Sequence, residues 1–266
     1  GYFYGTVDFD PGSGTSNLTS VGNRDVFISK LDSSGNFLWA KSMGGTGNEQ
    51  GNSIAIDASG NVYTTGPFGG TADFDPGSGT SNLTSAGSGD VFISKLDSSG
   101  NFLWAKSMGG TGYEQGNSIA VDLSGNIYTT GRFYGTVDFD PGSGTSNLTS
   151  AGGYDIFISK LDSSGNFLWA KRMGSTGIDN GSSIATDSLG NVYTSGNFTG
   201  TVDFDPGSGL SNLTSTVGGD IFISKLDNSG NFLWAKSIGV GSSNSGKSIA
   251  VDDFGNVYTT GYFQGT

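Results

Sequence analysis

The chain has 266 residues, of which 48 are glycine, 5 proline and none cysteine or histidine, and it carries a formal charge of −12. Without Cys or His there is no thiol nucleophile, Ser-His-Asp triad, histidine base, disulfide or ordinary zinc site. The negative balance opposes binding to a phosphate backbone, and an aromatic content of 12% is too high for a disordered Gly/Ser linker.

Nearly all the acid is aspartate, with only Glu49 and Glu114 as glutamates among 24 acidic residues. Aspartate suits turns, so the skew points to loops between strands. No stretch reaches the roughly 18 apolar residues of a membrane-spanning helix.

In chain order, the first legible segment is a connection from Gly5 to Arg24 holding Asp8-Phe-Asp-Pro-Gly. That motif returns at Asp73, Asp138 and Asp203, and Leu-Trp-Ala-Lys starts at Leu38, Leu103, Leu168 and Leu233. A constant offset without insertions marks a repeat architecture. It divides the chain into units 1–65, 66–130, 131–195 and 196–260, with a partial fifth at 261–266. The whole reads as one repeat region.

Each unit predicts four strands. For one blade these are Asn117–Asp122, Asn126–Gly131, Asp155–Leu161 and Asn166–Met173, rich in β-branched and aromatic residues. Phe167 and Trp169 alternate with Leu168 and Ala170, a pattern of a strand covered on both faces. Eight Asp-x-x-Gly-Asn turns, at Asp32, Asp57, Asp97, Asp122, Asp162, Asp187, Asp227 and Asp252, read as hairpins closed by a glycine at positive φ. The predicted fold is all-β: a β-propeller of four 65-residue repeats, one four-stranded antiparallel blade each, with blades crossing unit borders. Ser248–Gly261 could supply the missing strands of the first blade and close a four-bladed ring. The alternative is a segment of a larger ring or array.

These residues resemble bacterial β-propeller repeats of the SBBP type, through Ser118–Gly131 joined to Asp155–Gly174 and the equivalent stretches. The resemblance implies a secreted or cell-surface protein. It implies no enzymatic activity and supplies no catalytic residues.

Candidate chemistry lies in the connections. Asp8 and Asp10 project from one face of an extended segment, as do Asp73 with Asp75, Asp138 with Asp140, and Asp203 with Asp205. Such pairs could hold Ca²⁺ with nearby carbonyl and hydroxyl oxygens, the only cofactor expected. The competing reading is a turn whose acids are solvated or paired with Lys30 or Lys41. The Asn-Leu-Thr segments at Asn17, Asn82, Asn147 and Asn212 suit a small hairpin, and Trp39, Trp104, Trp169 and Trp234 suit a core better than a sugar platform.

The units differ most at Tyr2/Pro67/Arg132/Asn197, at Val21–Arg24, and at Gly45–Asn52 with its counterparts. Loop positions Asn48, Tyr113, Ile178 and Ser243 are the expected ligand contacts. The expected function is a non-enzymatic extracellular or cell-surface scaffold meeting a protein, a glycan or neighbouring copies, without nucleic acid or membrane insertion. The rivals are a lectin with one site per blade and an enzyme in the central channel, for which the repeats offer little asymmetry.

Overall fold

The computed structural model describes residues 1–216, 218–239, 241 and 243–264; residues 265 and 266 of the partial fifth unit lie outside it. Among the described residues all regular structure is β. Three sheets each contain a four-stranded antiparallel blade in simple chain order, the first extended to six strands by a small hairpin that docks on its outer strand. The first blade is Ser53–Ile56, Val62–Phe68, Asp90–Leu96 and Phe102–Gly110; the second is Gln115–Val121, Ile127–Phe133, Asp155–Leu161 and Phe167–Met173. The third is Asn180–Thr186, Val192–Phe198, Asp220–Leu226 and Phe232–Ile238. These are the blades of a β-propeller, and each crosses a border of the 65-residue unit.

Part-blades flank the three. Tyr2–Phe3 pairs with Asp25–Leu31, which continues to Phe37–Gly45; at the far side Ser245–Val251 pairs with Val257–Tyr262. Sequence allowed that last hairpin to close a ring against Asp25–Leu31. Instead Tyr2 and Phe3 stand opposite Val26 and Asp25, and the last hairpin pairs within itself. Tyr258 is consequently 60% exposed, whereas its equivalent Tyr128 is fully buried. The described residues therefore form an open arc.

The turns follow from aspartate chemistry. Asp122 Oδ1 accepts the amides of Ser124 and Asn126, and Oδ2 accepts Asn126 Nδ2 and the Tyr128 hydroxyl. Gly125 returns the chain at φ +80°, where L side chains are strained. The equivalent bonds recur at the other Asp-x-x-Gly-Asn turns, for example at Asp57 and Asp187.

The core lies between blades. In Asp90–Leu96, Phe92 and Leu96 pack back against Val26, Ile28 and Met43, while Val91 and Ile93 pack forward against Ile127, Phe133 and Phe157. The outer strand departs from the expected two-sided burial: Leu168 is 47% exposed, because no sheet covers the far face there. Trp39, Trp104 and Trp169 pack against the core clusters, as expected. The Asp-Phe-Asp segments contribute more than a loop. Phe74 is buried between Phe68 and Phe92, at centroid distances of 5.4 and 4.7 Å, and Phe139 and Phe204 repeat the arrangement.

The connection forms the small hairpin its alternation predicts. Thr71–Asp73 pairs with Asn82–Thr84, and Asp73 and Ala72 also dock on Gly44 and Gly45 of the preceding outer strand. Lysines add a second tie between blades: Lys95 Nζ donates to Ser163 O at 3.0 Å and Lys160 Nζ to Asn228 O at 2.8 Å. Replacing Gly125 with alanine should lower the unfolding free energy by about 1 kcal/mol through forced positive φ. Urea denaturation checks this; an unchanged midpoint would contradict the turn assignment.

Candidate functional site

Variable loops of the first two units meet in one groove. Short parallel bridges join Arg24 to Asn48 and Gly89 to Tyr113. Each bridge lies within one repeat, and between the two repeats opens the groove of about 470 Å³, lined by Arg24, Asn48, Gln50, Pro67, Ser88 and Tyr113, among others. Of the four expected contact positions, Asn48 and Tyr113 therefore share one groove. Ile178 and Ser243 are exposed in the corresponding loops farther along.

Arg24 lies over the rings of Tyr2 and Tyr4, at 4.8 and 5.5 Å, and its Nε donates to the Tyr4 hydroxyl. Arg132 lies 4.7 Å from the Tyr154 ring. Burial raises the Tyr113 phenol pKa, and the charges of Arg132 and Arg24 pull against that rise. Tyr113 thus stands in the field of two arginines on an otherwise acidic protein.

A second pocket, of about 390 Å³, opens among the inner strands and is lined by Asn52, Gln115, Asn117, Arg132, Asn180, Ser182 and Lys247. Its construction depends on β-bulges. The pairing register slips between Gly116 and Ser118, between Gly181 and Ser183, and between Gly246 and Ser248. The extra residues are Asn117, Ser182 and Lys247, all turned into the pocket. Gly131 makes room for the bulge, since a Cβ there would stand 1.8 Å from Gln115 O. Sequence reading placed these residues at the tail of a variable loop and missed their convergence. The recurring glycine opposite the variable position was the available signal.

The Asp-Phe-Asp turns use part of their carboxylate capacity internally. Asp8 Oδ1 accepts the amides of Asp10 and Ser16, and Asp10 Oδ1 accepts the amide of Gly12. Asp73 and Asp75, Asp138 and Asp140, and Asp203 and Asp205 repeat those bonds. Lys30 reaches Ser98 O instead of these acids. Among the described residues no group of three or more His, Cys, Asp or Glu side chains is placed to hold a metal, and no cofactor is indicated.

A set of acids that sequence reading passed over is more deeply placed. Asp25 and Glu49 are 1% and 0% exposed, and Asp90 and Glu114 are 3% and 0% exposed. Asp25 Oδ2 accepts the Val21 amide and Glu49 Oε2 accepts the Gly45 amide. A Cβ at Gly44 would stand 2.6 Å from Asp25 Oδ1, so the two carboxylates flank adjacent glycines. Burial, joined by the charge of Asp25, pushes Glu49 up to about 7 against the pull of the Gly45 and Gly69 amides; Glu114 is pushed to about 7 in the same way beside Asp90. Burial also raises Asp25, Asp90, Asp155 and Asp179.

These shifts set a pH dependence. The unfolded Glu49 and Glu114 release protons near 4.5, whereas the folded ones hold them to about 7, so the native state binds more protons in that window. Stability in chelating buffer should therefore fall as pH rises from about 4.5 through 7. A double variant Glu49→Gln, Glu114→Gln should flatten the melting temperature over that range; an unaltered slope would assign it to other groups.

Comparison with known proteins agrees with the architecture. The model of the SBBP beta-propeller repeat matches residues 103–132, 168–200 and 233–262. Each match runs from an outer strand through the first two strands of the next blade or part-blade. Over 191 residues, 61% of this chain, the sequence is 30% identical to an uncharacterized WD repeat-containing protein, L264, of Acanthamoeba polyphaga mimivirus. Over 174 residues, 62% of the chain, it is 28% identical to the regulatory protein FlaEY of Caulobacter vibrioides. The matches span 13% and 17% of those proteins, so the chain corresponds to under a fifth of either. The chain thus has a repeated β-propeller fold and is similar, over 61% and 62% of its length, to one WD repeat-containing protein and one regulatory protein.

Proposed function

We propose that the chain is a non-enzymatic scaffold of a bacterial cell surface or secreted protein, and that its loop face contacts a glycan or a protein. The observation that carries this is the meeting of Asn48 and Tyr113, from different repeats, in one groove with Arg24. Rings, amides and a guanidinium on a rigid sheet edge suit recognition of polar partners.

The distribution of cations supports a composite contact over four equal sites. Of 12 lysines and arginines, eight follow the repeat, as Lys30/95/160/225 and Lys41/106/171/236. The four that break it are Arg24, Arg132, Arg172 and Lys247. Arg24 lines the groove, and Arg132 and Lys247 line the inner-strand pocket. A partner spanning groove and pocket would meet a different set of donors at each blade, which disfavours one identical lectin site per blade.

A panel of immobilised polysaccharides and surface proteins tests the reading, with Tyr113→Ala as the probe. A bound panel member should lose affinity at least about tenfold in the variant, the scale of an aromatic contact residue. Undiminished binding by Tyr113→Ala, or catalytic turnover of a panel member, would contradict it.

A further inference from the structure

The four units share one buried acidic position and treat its charge differently. The first member of each pair is Asp25, Asp90, Asp155 or Asp220; the second is Glu49, Glu114, Asp179 or Asn244. In the third unit both acids have a charged or hydrogen-bonding partner, although Asp155 Oδ1 is buried without one. Arg172 Nη1 stands 2.5 Å from Asp155 Oδ2, while Asp179 accepts the amide and hydroxyl of Ser175 and the amide of Thr199. In the fourth unit the second acid is replaced by an amide, and the Thr216 hydroxyl donates to Asp220 Oδ1 at 2.6 Å.

The first two units have neither remedy. Where the third has Arg172 they carry Ser42 and Ser107. Asp25 Oδ1, Glu49 Oε1, Asp90 Oδ1 and Glu114 Oε1 are all buried without a hydrogen-bond partner; Asp155 Oδ1 shares that state, but its carboxylate is paired with Arg172 and both oxygens of Asp179 are bonded. Two carboxylates out of water with an orphan oxygen each are costly unless a positive charge joins them. A proton neutralises one charge of the two. A divalent cation neutralises both, and carboxylate oxygens are its preferred ligands.

We propose that the pairs Asp25–Glu49 and Asp90–Glu114 each bind a hard divalent cation of the calcium type, in the role that the Arg172 guanidinium fills in the third unit. The donors are all oxygen, which selects a hard ion. Two carboxylates leave places for backbone carbonyls and water in a coordination shell of six to eight. The side chain of Arg172 is 35% exposed and still reaches Asp155, which marks a route from solvent that serine leaves open in the first two units. This inference is independent of the proposed function, and these pairs are separate from the Asp8–Asp10 turns.

The test is thermal unfolding and calorimetric titration of the full chain at neutral pH, in chelator and in calcium at about 1 mM, a concentration suited to extracellular modules. One calcium per pair and a melting temperature several degrees higher are expected. Ser42→Arg with Ser107→Arg should raise the melting temperature in chelator and abolish the calcium response. Glu49→Gln with Glu114→Gln, which keeps the packing volume, should also lose that response. Asp10→Asn with Asp75→Asn should keep it. An absent shift, a response only to acid, or a calcium response surviving in both pair variants would overturn the proposal.

Discussion

The fold depends above all on the central strands of each blade being covered on both faces by neighbouring blades. A strand such as Asp90–Leu96 then has no solvent face, and Phe92 and Val91 must each find a core. Burying an aromatic or aliphatic side chain contributes roughly 1.5–3 kcal/mol, and here most of that gain lies between blades. The remaining ties act across the same boundaries: Phe74 wedges between rings, and Lys95 crosses from one third strand to the turn of the next blade. An isolated unit would expose both faces of its sheet, so repetition is a condition of stability.

The same constraint creates the electrostatic difficulty. Glycine-rich loops pack tightly where outer strands turn back to the next inner strand, and Asp25 with Glu49 is enclosed there. Their backbone partners are amides from the loop ends at Val21 and Gly45, so each acid ties a loop in place while losing its water. A loop face organised in this way can vary at Asn48 or Tyr113 without disturbing the sheet. That separation of rigid support from variable contact is what a binding scaffold requires.

Much of the architecture was legible because strand and turn chemistry is local. The offset of 65, the eight aspartate-glycine turns, the small hairpin from Asn-Leu-Thr and the packing of the tryptophans could all be read from residue order. The exposed Leu168 was not, since alternation does not reveal which strand lies outermost. Nor was the open arc, because Ser248–Gly261 has the same letters as a hairpin that closes a ring. The loop groove was legible in part: variation flagged Asn48 and Tyr113, while their meeting in one groove depends on how neighbouring blades stack. The buried acids were missed because an acid in a variable glycine-rich loop resembles a solvated one. The two glutamates in a chain of aspartates were the available hint.

If burial between blades governs stability, protection should follow the number of neighbours. Native-state hydrogen exchange on the full chain measures this directly. The account predicts the slowest exchange in Ile127–Phe133 and Asp155–Leu161, covered on both sides, and the fastest among strands in Val257–Tyr262. Equal protection across the blades and the flanking hairpin would contradict it.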